Sequence, residues 1–369
     1  MQTQPEIVIV LRSGRTIGLT GKSGMIMDTI TELETTICDM VQAGKGILAA
    51  DESAPTIARR FSAIDVESSE QKRRSYRSML FTTPGLAEFI SAVILFEETL
   101  TQRSDDGKPL PEVLAKQGIV PGVKVDKGLK PLANAEGDNI TQGLDGLGER
   151  LQVYKTQGAR FAKWREVYPI SEHNPTALGL EANAEMLARY AAVCQTAGIV
   201  PIVEPEVLID GNHTIERSAE VIEAVLHAVF HALQRHKVIL ECMVLKPSMV
   251  TPGKDHPSRA TPEQVAEATI KVFRRAVPAA VPSINFLSGG QTPEEATANL
   301  NAMNALFRDA PWELSFSYGR ALQEPALKAW QGKTENAAAT QQALYQRAFL
   351  NGAARTGEYI AEMEAETFI

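Results

Sequence analysis

The stretch Gly46-Ile47-Leu48-Ala49-Ala50-Asp51-Glu52-Ser53 decides the fold class. Its first half is a short apolar run, which is typical of a buried strand in a parallel sheet. Its second half is acidic and hydroxylated, and it lacks the glycine-rich turn that usually follows the first strand of an open nucleotide-binding sheet. The stretch therefore favours a closed barrel over an open doubly wound sheet.

Seven further apolar runs follow, and helical patterns separate them. The eight predicted strands span residues 46–51, 91–96, 120–125, 159–164, 200–203, 239–245, 281–287 and 312–316. Alternating strands and helices predict parallel βαβ units, and eight such units predict an α/β fold of the (β/α)8 TIM-barrel type. The open doubly wound sheet remains the alternative.

Explicit start signals support the helices of these units. Thr261-Pro262-Glu263-Gln264 and Thr292-Pro293-Glu294-Glu295 each combine an N-cap threonine, a first-turn proline and a capping-box partner. Residues 181–197 and 216–234 have apolar residues at helical spacing and no internal glycine or proline. We expect a single barrel domain over residues 29–350, an N-terminal arm over 1–28 and a C-terminal tail over 351–369.

Composition excludes several classes of function. The 369 residues carry a net charge of −8, which argues against nucleic acid as a bulk electrostatic partner. No apolar stretch reaches the roughly 18 residues of a membrane span. The three cysteines are far apart and form no C-x-x-C pair, so a reducing compartment, the cytoplasm, is expected. A plastid transit peptide in the basic first 24 residues is the alternative.

Lys246 ends the apolar run Val238-Ile239-Leu240-Glu241-Cys242-Met243-Val244-Leu245-Lys246-Pro247. Proline cannot donate to a sheet ladder, so the strand should stop at or just after this lysine. Desolvation disfavours an ammonium group, and the neutral amine is the form that attacks a carbonyl carbon. The run therefore predicts a nucleophilic lysine at the end of the sixth strand.

The other predicted strands also end in polar residues, and barrel enzymes carry their chemistry at these ends. Side chains two apart on a strand share a face, although Pro205 predicts an irregular fifth strand. Solvated loop charges or structural ion pairs are the alternative interpretation. In chain order the residues are Asp51 and Ser53; Glu97 and Glu98; Lys124, Asp126 and Lys127; Lys163 and Arg165; Glu204 and Glu206; Lys246; Ser288, Gly289 and Gly290; and Ser317, Gly319 and Arg320.

These residues suggest roles in Schiff-base chemistry. Lys163 is the candidate cation beside Lys246, and Glu204 is a residue type suited to general acid/base catalysis. Asp51 or Glu204 could move the proton of a departing hydroxyl. Ser288-Gly289-Gly290, just before a capped helix, predicts a phosphate cradle with Arg320 nearby, and a plain turn is the alternative.

A metal site is the less favoured interpretation. His227 and His231 are four residues apart on a predicted helix, but no carboxylate or cysteine completes an obvious set of ligands. Cys242 is expected inside the sixth strand as a small core residue. We therefore predict no metal and no cofactor.

Seven ordered motifs identify a family. They include Gly44-Lys45-Gly46-Ile47-Leu48-Ala49-Ala50-Asp51-Glu52-Ser53, Phe161-Ala162-Lys163-Trp164-Arg165 and Phe286-Leu287-Ser288-Gly289-Gly290-Gln291. The others lie at residues 123–128, 201–206, 245–247 and 316–322. Over residues 29–350 the chain resembles the class I, Schiff-base fructose-1,6-bisphosphate aldolases.

The resemblance implies reversible cleavage of fructose 1,6-bisphosphate to dihydroxyacetone phosphate and glyceraldehyde 3-phosphate, without metal. It implies sugar phosphates as ligands and often a homotetramer. It makes Lys246 the Schiff-base lysine, Glu204 the general acid/base, and Lys163, Glu206 and Asp51 their assistants. The implied contacts to the phosphate beside the ketone are Ser288, Gly289, Gly290, Ser317 and Arg320. Ser53, Thr56, Arg60, Arg73 and Lys124 are implied toward the second phosphate or the sugar chain, and Gly319 and Arg165 are further candidate substrate contacts.

The chain ends depart from the family pattern. The animal enzymes end in a tyrosine, whereas this chain ends Thr367-Phe368-Ile369. A barrel kept only as a binding scaffold is the rival hypothesis. A scaffold has no need to keep a buried lysine beside a second cation, which disfavours it.

Overall fold

A computed structural model describes residues 8–10, 16–18 and 23–365 of the chain. Most of the predicted arm before residue 23, and the final residues 366–369 of the predicted tail, lie outside the described residues. Eight parallel strands close into a barrel in the order β6-β7-β8-β1-β2-β3-β4-β5. The strands are β1 (Gly46–Ala50), β2 (Ile90–Leu95), β3 (Val120–Lys124), β4 (Phe161–Tyr168), β5 (Val200–Val207), β6 (Val244–Leu245), β7 (Ser283–Phe286) and β8 (Glu313–Tyr318).

Helices surround the barrel, and the (β/α)8 prediction is confirmed. They are α1 (Ser23–Met40), α2 (Ala54–Ser62), α3 (Glu70–Phe81), α4 (Leu110–Lys116), α5 (Leu147–Thr156), α6 (Ala177–Thr196), α7 (Ile215–Arg235), α8 (Pro262–Ala276), α9 (Pro293–Leu306), α10 (Arg320–Trp330) and α11 (Ala337–Thr356). None of the described helices is long and apolar enough to cross a membrane.

Short elements complete the description. The single-turn 3-10 helices are Leu86–Glu88, Glu97–Leu100, Leu240–Cys242, Thr334–Asn336 and Ala361–Ala365. Two antiparallel ribbons pair Val8–Val10 with Thr16–Gly18 and Leu129–Pro131 with Asn139–Thr141. The second ribbon lies in the long connection between β3 and β4.

Both predicted capping boxes form. The hydroxyl groups of Thr261 and Thr292 accept hydrogen bonds from the backbone N–H of Gln264 and Glu295, and those side chains accept in return from the cap N–H groups. Each cap satisfies donors that a helix start leaves without intrahelical partners. The helices α8 and α9 therefore begin where the sequence predicts.

The sixth strand is shorter than predicted. Only Val244 and Leu245 pair with both neighbouring strands, and residues 240–242 form a 3-10 turn instead. The side chain of Gln195 on α6 explains the difference, because its amide bonds the backbone of Ile239 and the carbonyl of Cys242. Cys242 is buried in this turn, so its predicted place inside a strand is wrong, although its predicted place in the core is confirmed.

The fifth strand is longer than predicted. It pairs with β4 without a break from Val200 to Val207, and it passes through Pro205. The expected irregularity at this proline is therefore wrong, and Glu204 and Glu206 keep the alternation of a regular strand.

The barrel interior is apolar at one end. Inward residues such as Ile47, Val120 and Ile202 form one cluster with Leu33 and Ile37 of α1, which covers the N-terminal ends of the strands. The outward residues pack against the surrounding helices in a separate, larger cluster. Continuing the inward alternation along each strand leads from these apolar residues to the charged residues at the opposite end.

The C-terminal helix crosses a predicted boundary. Residue 350 lies inside α11, whose residues Asn351 and Ala354 are buried. The division of the chain into arm, barrel domain and tail stays a prediction.

Glycine at position 122 is required by packing inside the barrel. A Cβ atom there would lie 2.3–2.4 Å from ring atoms of Phe161 on the neighbouring strand. We expect Gly122→Ala to lower the free energy of unfolding by about 1–3 kcal/mol, because the buried ring has to shift. Urea denaturation of the variant and the parent measures the difference.

Gly148 provides the matched control. It lies in the first turn of α5, and an added Cβ would meet nothing within 4 Å. Gly148→Ala should leave stability unchanged or raise it by up to about 1 kcal/mol. Equal effects of the two substitutions would contradict the packing argument.

Candidate active site

Four charged side chains meet at the C-terminal end of the barrel. Asp51 follows β1, Lys163 and Glu204 lie on β4 and β5, and Lys246 follows β6. The side chains of Lys163, Glu204 and Lys246 are each no more than 5% exposed, and that of Asp51 is 13% exposed. The backbone N–H of Lys246 donates to the carbonyl of Val203, which fixes its position beside β5.

The four groups form a chain of alternating charge. Lys163 Nζ lies 2.7 Å from Asp51 Oδ2 and 2.9 Å from Glu204 Oε2. The other oxygen of Glu204, Oε1, lies 2.9 Å from Lys246 Nζ. One carboxylate therefore bridges the two buried lysines, and the expected proximity of Lys163 to Lys246 is achieved through Glu204.

The charges in this chain stabilise one another. Burial alone would raise the pKa values of Asp51 and Glu204, but the ammonium groups of Lys163 and Lys246 hold both below their ordinary range. Burial alone would lower the pKa of Lys163, but Asp51 and Glu204 raise it above its ordinary value. These contacts therefore favour the protonated form of Lys163 and the ionised forms of Asp51 and Glu204.

Two further ion pairs lie beside this chain. Lys124 Nζ contacts the carboxylate of Asp126, and Arg165 Nε contacts that of Glu206. Each pair joins residues that alternation predicted to face the mouth. Glu206 is thus paired with Arg165 rather than with a lysine of the central chain.

The loop after β7 has the form of an anion cradle. Gly289 and Gly290 have φ values of +48° and +95°, a region that favours glycine, and the capped helix α9 follows. An atom at the Cβ position of Gly290 would lie 3.6 Å from Arg320 Nη2. The nearby Ser317 hydroxyl is buried and has no hydrogen-bond partner among the described residues. Ser288 is also buried.

Arg60 lies beside Gly319, the residue that follows β8. Its Nη2 atom is 3.8 Å from the Cβ position of Gly319. Glu52 pairs with the Arg60 guanidinium, and the side chain of Gln323 on α10 donates to Glu52 Oε1 at 2.7 Å. Glu52 and Gln323 were not singled out from the sequence; Glu52 could have been noticed as a neighbour of Asp51.

The remaining predicted contacts lie on the side of β1 to β3. Ser53 and Thr56 approach each other to 3.1 Å between their hydroxyl oxygens. Arg73 donates from Nε to Glu98 at 2.9 Å and again from Nη2. Sequence reasoning missed Arg77, one helical turn after Arg73, although the four-residue spacing places both on one face of α3.

Glu166 is a buried carboxylate outside the predicted site. It follows Arg165 on β4 and points to the outer face, where Trp164 Nε1 donates to it at 2.8 Å and the Thr141 N–H at 3.1 Å. No lysine or arginine of the described residues forms an ion pair with it. Burial raises the pKa of Glu166 to about 8, although both hydrogen bonds oppose the shift.

The alternative metal pair does not assemble a site. No group of three or more histidine, cysteine, aspartate or glutamate residues in the described part of the chain is arranged to hold a metal ion. His227 lies 3.9 Å from Glu223 on the half-exposed face of α7.

The chain is similar to known proteins in sequence and in fold. The family described as fructose-bisphosphate aldolase class-I matches residues 32–368. Fructose-bisphosphate aldolase 2 of Caenorhabditis elegans is 52% identical over 94% of the chain and 95% of its own length. The cytosolic fructose-bisphosphate aldolase 5 of Arabidopsis thaliana is 55% identical over 89% of the chain and 91% of its own length.

A solved structure is similar to this chain in fold and in sequence. The fructose-bisphosphate aldolase of Plasmodium falciparum, solved in complex with TRAP and a small-molecule inhibitor, superposes with a TM-score of 0.89. It is 50% identical and covers 90% of this chain and 96% of its own.

Glu166 should make stability depend on pH. Its pKa is higher in the folded chain than in the unfolded chain, so its contribution is fully present below the ordinary carboxyl pKa. That contribution is lost as the pH rises through about 8. We expect the free energy of unfolding to fall from about pH 5 to pH 8 more steeply in the parent than in Glu166→Gln, as measured by urea denaturation.

Glu149→Gln, an exposed change on α5, is the control and should keep the slope of the parent. If the free energy of unfolding changes with pH equally in the parent and in Glu166→Gln, the buried carboxyl does not titrate in this range.

Proposed function

This chain belongs to the class-I fructose-bisphosphate aldolase family and is a carbon–carbon lyase that reversibly cleaves fructose 1,6-bisphosphate, and we propose that Lys246 is its Schiff-base nucleophile. One observation carries the proposal. The carboxylate of Glu204 bridges Lys246 and Lys163, with both Nζ atoms 2.9 Å from its oxygens. A proton acceptor thus lies in contact with the proposed nucleophile.

The first step is attack on the C2 ketone. Glu204 takes a proton from the Lys246 ammonium, and the neutral amine then adds to C2 to give a carbinolamine. Lys163 keeps its proton because Asp51 and Glu204 surround it, and its positive charge stabilises the oxygen that becomes negative during the addition.

The second step is loss of water. Glu204, now protonated, returns its proton to the C2 hydroxyl group, which leaves as water and gives an iminium ion on Lys246. The double bond between C2 and the lysine nitrogen is an electron sink, so the chemistry needs no metal ion.

The third step breaks the C3–C4 bond. A carboxylate, Asp51 or Glu204, removes the proton of the C4 hydroxyl, glyceraldehyde 3-phosphate leaves, and the bonding electrons form an enamine. Protonation at C3 and hydrolysis of the iminium release dihydroxyacetone phosphate and restore Lys246. The same steps in reverse give the condensation.

The sugar phosphate is held at both ends in this proposal. Ser288, Gly289, Gly290, Ser317 and Arg320 would bind the phosphate beside the ketone. The left-handed glycines and the helix start support this assignment, because backbone N–H groups and the helix dipole favour an anion. The residues assigned to the second phosphate or the sugar chain are Ser53, Thr56, Arg60, Arg73 and Lys124, and Gly319 and Arg165 are further candidate contacts.

Lys246→Met should abolish cleavage of fructose 1,6-bisphosphate and leave the fold intact, because methionine fills the site but cannot form an imine. Activity should fall by at least about a thousandfold, as expected when a covalent nucleophile is lost. Borohydride trapping with dihydroxyacetone phosphate in EDTA, followed by peptide mass spectrometry, should place the reduced adduct on Lys246 in the parent.

Lys271→Met, an exposed change on α8, is the matched control. It should form the reduced adduct and cleave fructose 1,6-bisphosphate as the parent does. An active Lys246→Met variant would exclude this nucleophile. Cleavage by the parent without any adduct, or cleavage that EDTA stops and zinc restores, would exclude the metal-free mechanism.

The family also suggests a homotetramer in the cytoplasm, and relatives of this chain are named as cytosolic enzymes. Light scattering of the purified protein should give about four times the 40.1 kDa chain mass. A monomer mass would exclude the assembly.

A further inference from the structure

Glu98 is shared by two arginines of α3. Arg73 binds both of its oxygens, and Arg77 Nη1 lies 3.3 Å from Oε2. The carboxylate is ionised, since the hydrogen bond and charge of Arg73, together with the charge of Arg77, hold its pKa below the ordinary range. Glu98 therefore has two cations competing for one negative charge.

The two arginines differ in what else holds them. Arg77 is 1% exposed; its Nη2 donates to the backbone carbonyl of Glu52 at 2.7 Å and its Nη1 to the Thr99 hydroxyl at 3.0 Å. Its guanidinium also lies 5.7 Å from the ring centroid of Phe96. Among the described residues, the Arg73 guanidinium has one other hydrogen-bond partner besides Glu98, the Ser68 hydroxyl, at a long 3.4 Å. Arg77 is thus fixed, and Arg73 depends on Glu98.

This group lies in the sector assigned to the second phosphate. Glu98 follows β2, between Ser53 and Thr56 after β1 and Lys124 at the end of β3. Arg73 is 14% exposed at its side chain, whereas Arg77 has no access to a ligand. A phosphate bound in this sector can reach Arg73 but not Arg77.

An arginine that binds phosphate has to leave its carboxylate partner. Removing one partner of a buried pair is costly when the other charge is left without compensation. Arg77 reduces that cost, because its guanidinium keeps its positive charge and stays beside Glu98 when Arg73 turns to the phosphate.

Resting on the proposed function, we propose that Arg77 is a positioning residue that keeps Glu98 neutralised, so that Arg73 can exchange this carboxylate for the second phosphate of the substrate. Arg77 acts through Arg73 and touches no substrate itself. Its role should therefore be specific for substrates that carry two phosphates.

The test compares Arg77→Met with the parent on fructose 1,6-bisphosphate and fructose 1-phosphate. Without Arg77, Glu98 should hold Arg73 more tightly. We expect KM for the bisphosphate to rise about tenfold, the change that corresponds to one charged hydrogen bond. The kcat/KM for the monophosphate should stay within about twofold, because it lacks the second phosphate.

The double variant Arg77→Met with Glu98→Gln provides the rescue. It has no carboxylate to hold Arg73, so KM for the bisphosphate should return most of the way to the parent value. A packing defect left by the missing Arg77 side chain would not be repaired by Glu98→Gln, and it would lower kcat/KM for both substrates.

Arg355→Met is the matched control. Arg355 is another buried arginine, and it pairs at 2.7 Å with Glu313 at the opposite end of the barrel. Loss of the Arg355 side chain should lower stability without changing the ratio of kcat/KM for fructose 1,6-bisphosphate to kcat/KM for fructose 1-phosphate. If Arg77→Met does not fold, Arg77→Lys keeps the charge and should show a smaller shift of the same ratio.

If the parent is active, two results would overturn this role of Arg77. One is an equal loss of kcat/KM on both substrates in Arg77→Met, and the other is no rescue by Glu98→Gln. A parent protein that cleaves neither sugar would instead overturn the proposed function and this inference with it.

Discussion

The Glu204 carboxylate, placed between Lys163 and Lys246, is the contact on which the candidate site depends. Lys163 and Lys246 both contact this carboxylate, and Asp51, the remaining member of the central chain of charges, reaches it through Lys163. Isolated charges of either sign would be strongly disfavoured at such depth. Alternating signs make the burial tolerable and provide a route for protons between neighbouring groups. The same arrangement that allows the barrel to fold with charges in its mouth therefore supplies acid/base groups for carbonyl chemistry.

Strand alternation explains how one barrel separates stability from chemistry. Along β5 the inward positions change from Val200 and Ile202 to Glu204, so one strand contributes to the apolar floor and to the reactive end. Helix α1 covers the floor, and the polar residues lie at the far end. Changes in the loops above the strands can thus alter binding without disturbing the packing below, which is the general property of this fold.

Local patterns predicted the eight strands, the two capping boxes and the residues of the mouth, because these follow from periodicity and from residues near in sequence. Distant contacts limited the rest. The turn at residues 240–242 depends on Gln195, which lies on another helix, and the continuity of β5 through Pro205 depends on its partner β4. The pairing of Glu206 with Arg165 and the network around Arg77 join residues from different strands and helices. Motif resemblance supplied Arg60 and Arg73, but not the carboxylates that hold them.

The closed ring of strands also constrains how the chain is made. β1 pairs with β2 on one side and with β8 on the other, and Ser315 bonds the backbone of Lys45 across 270 residues of sequence. During synthesis from the N-terminus, one edge of β1 has no partner until β8 has left the ribosome. For most of translation the nascent chain therefore carries an open parallel edge beside an apolar interior. Its protection from aggregation during that period has to come from helices already docked on the outer face, or from chaperones.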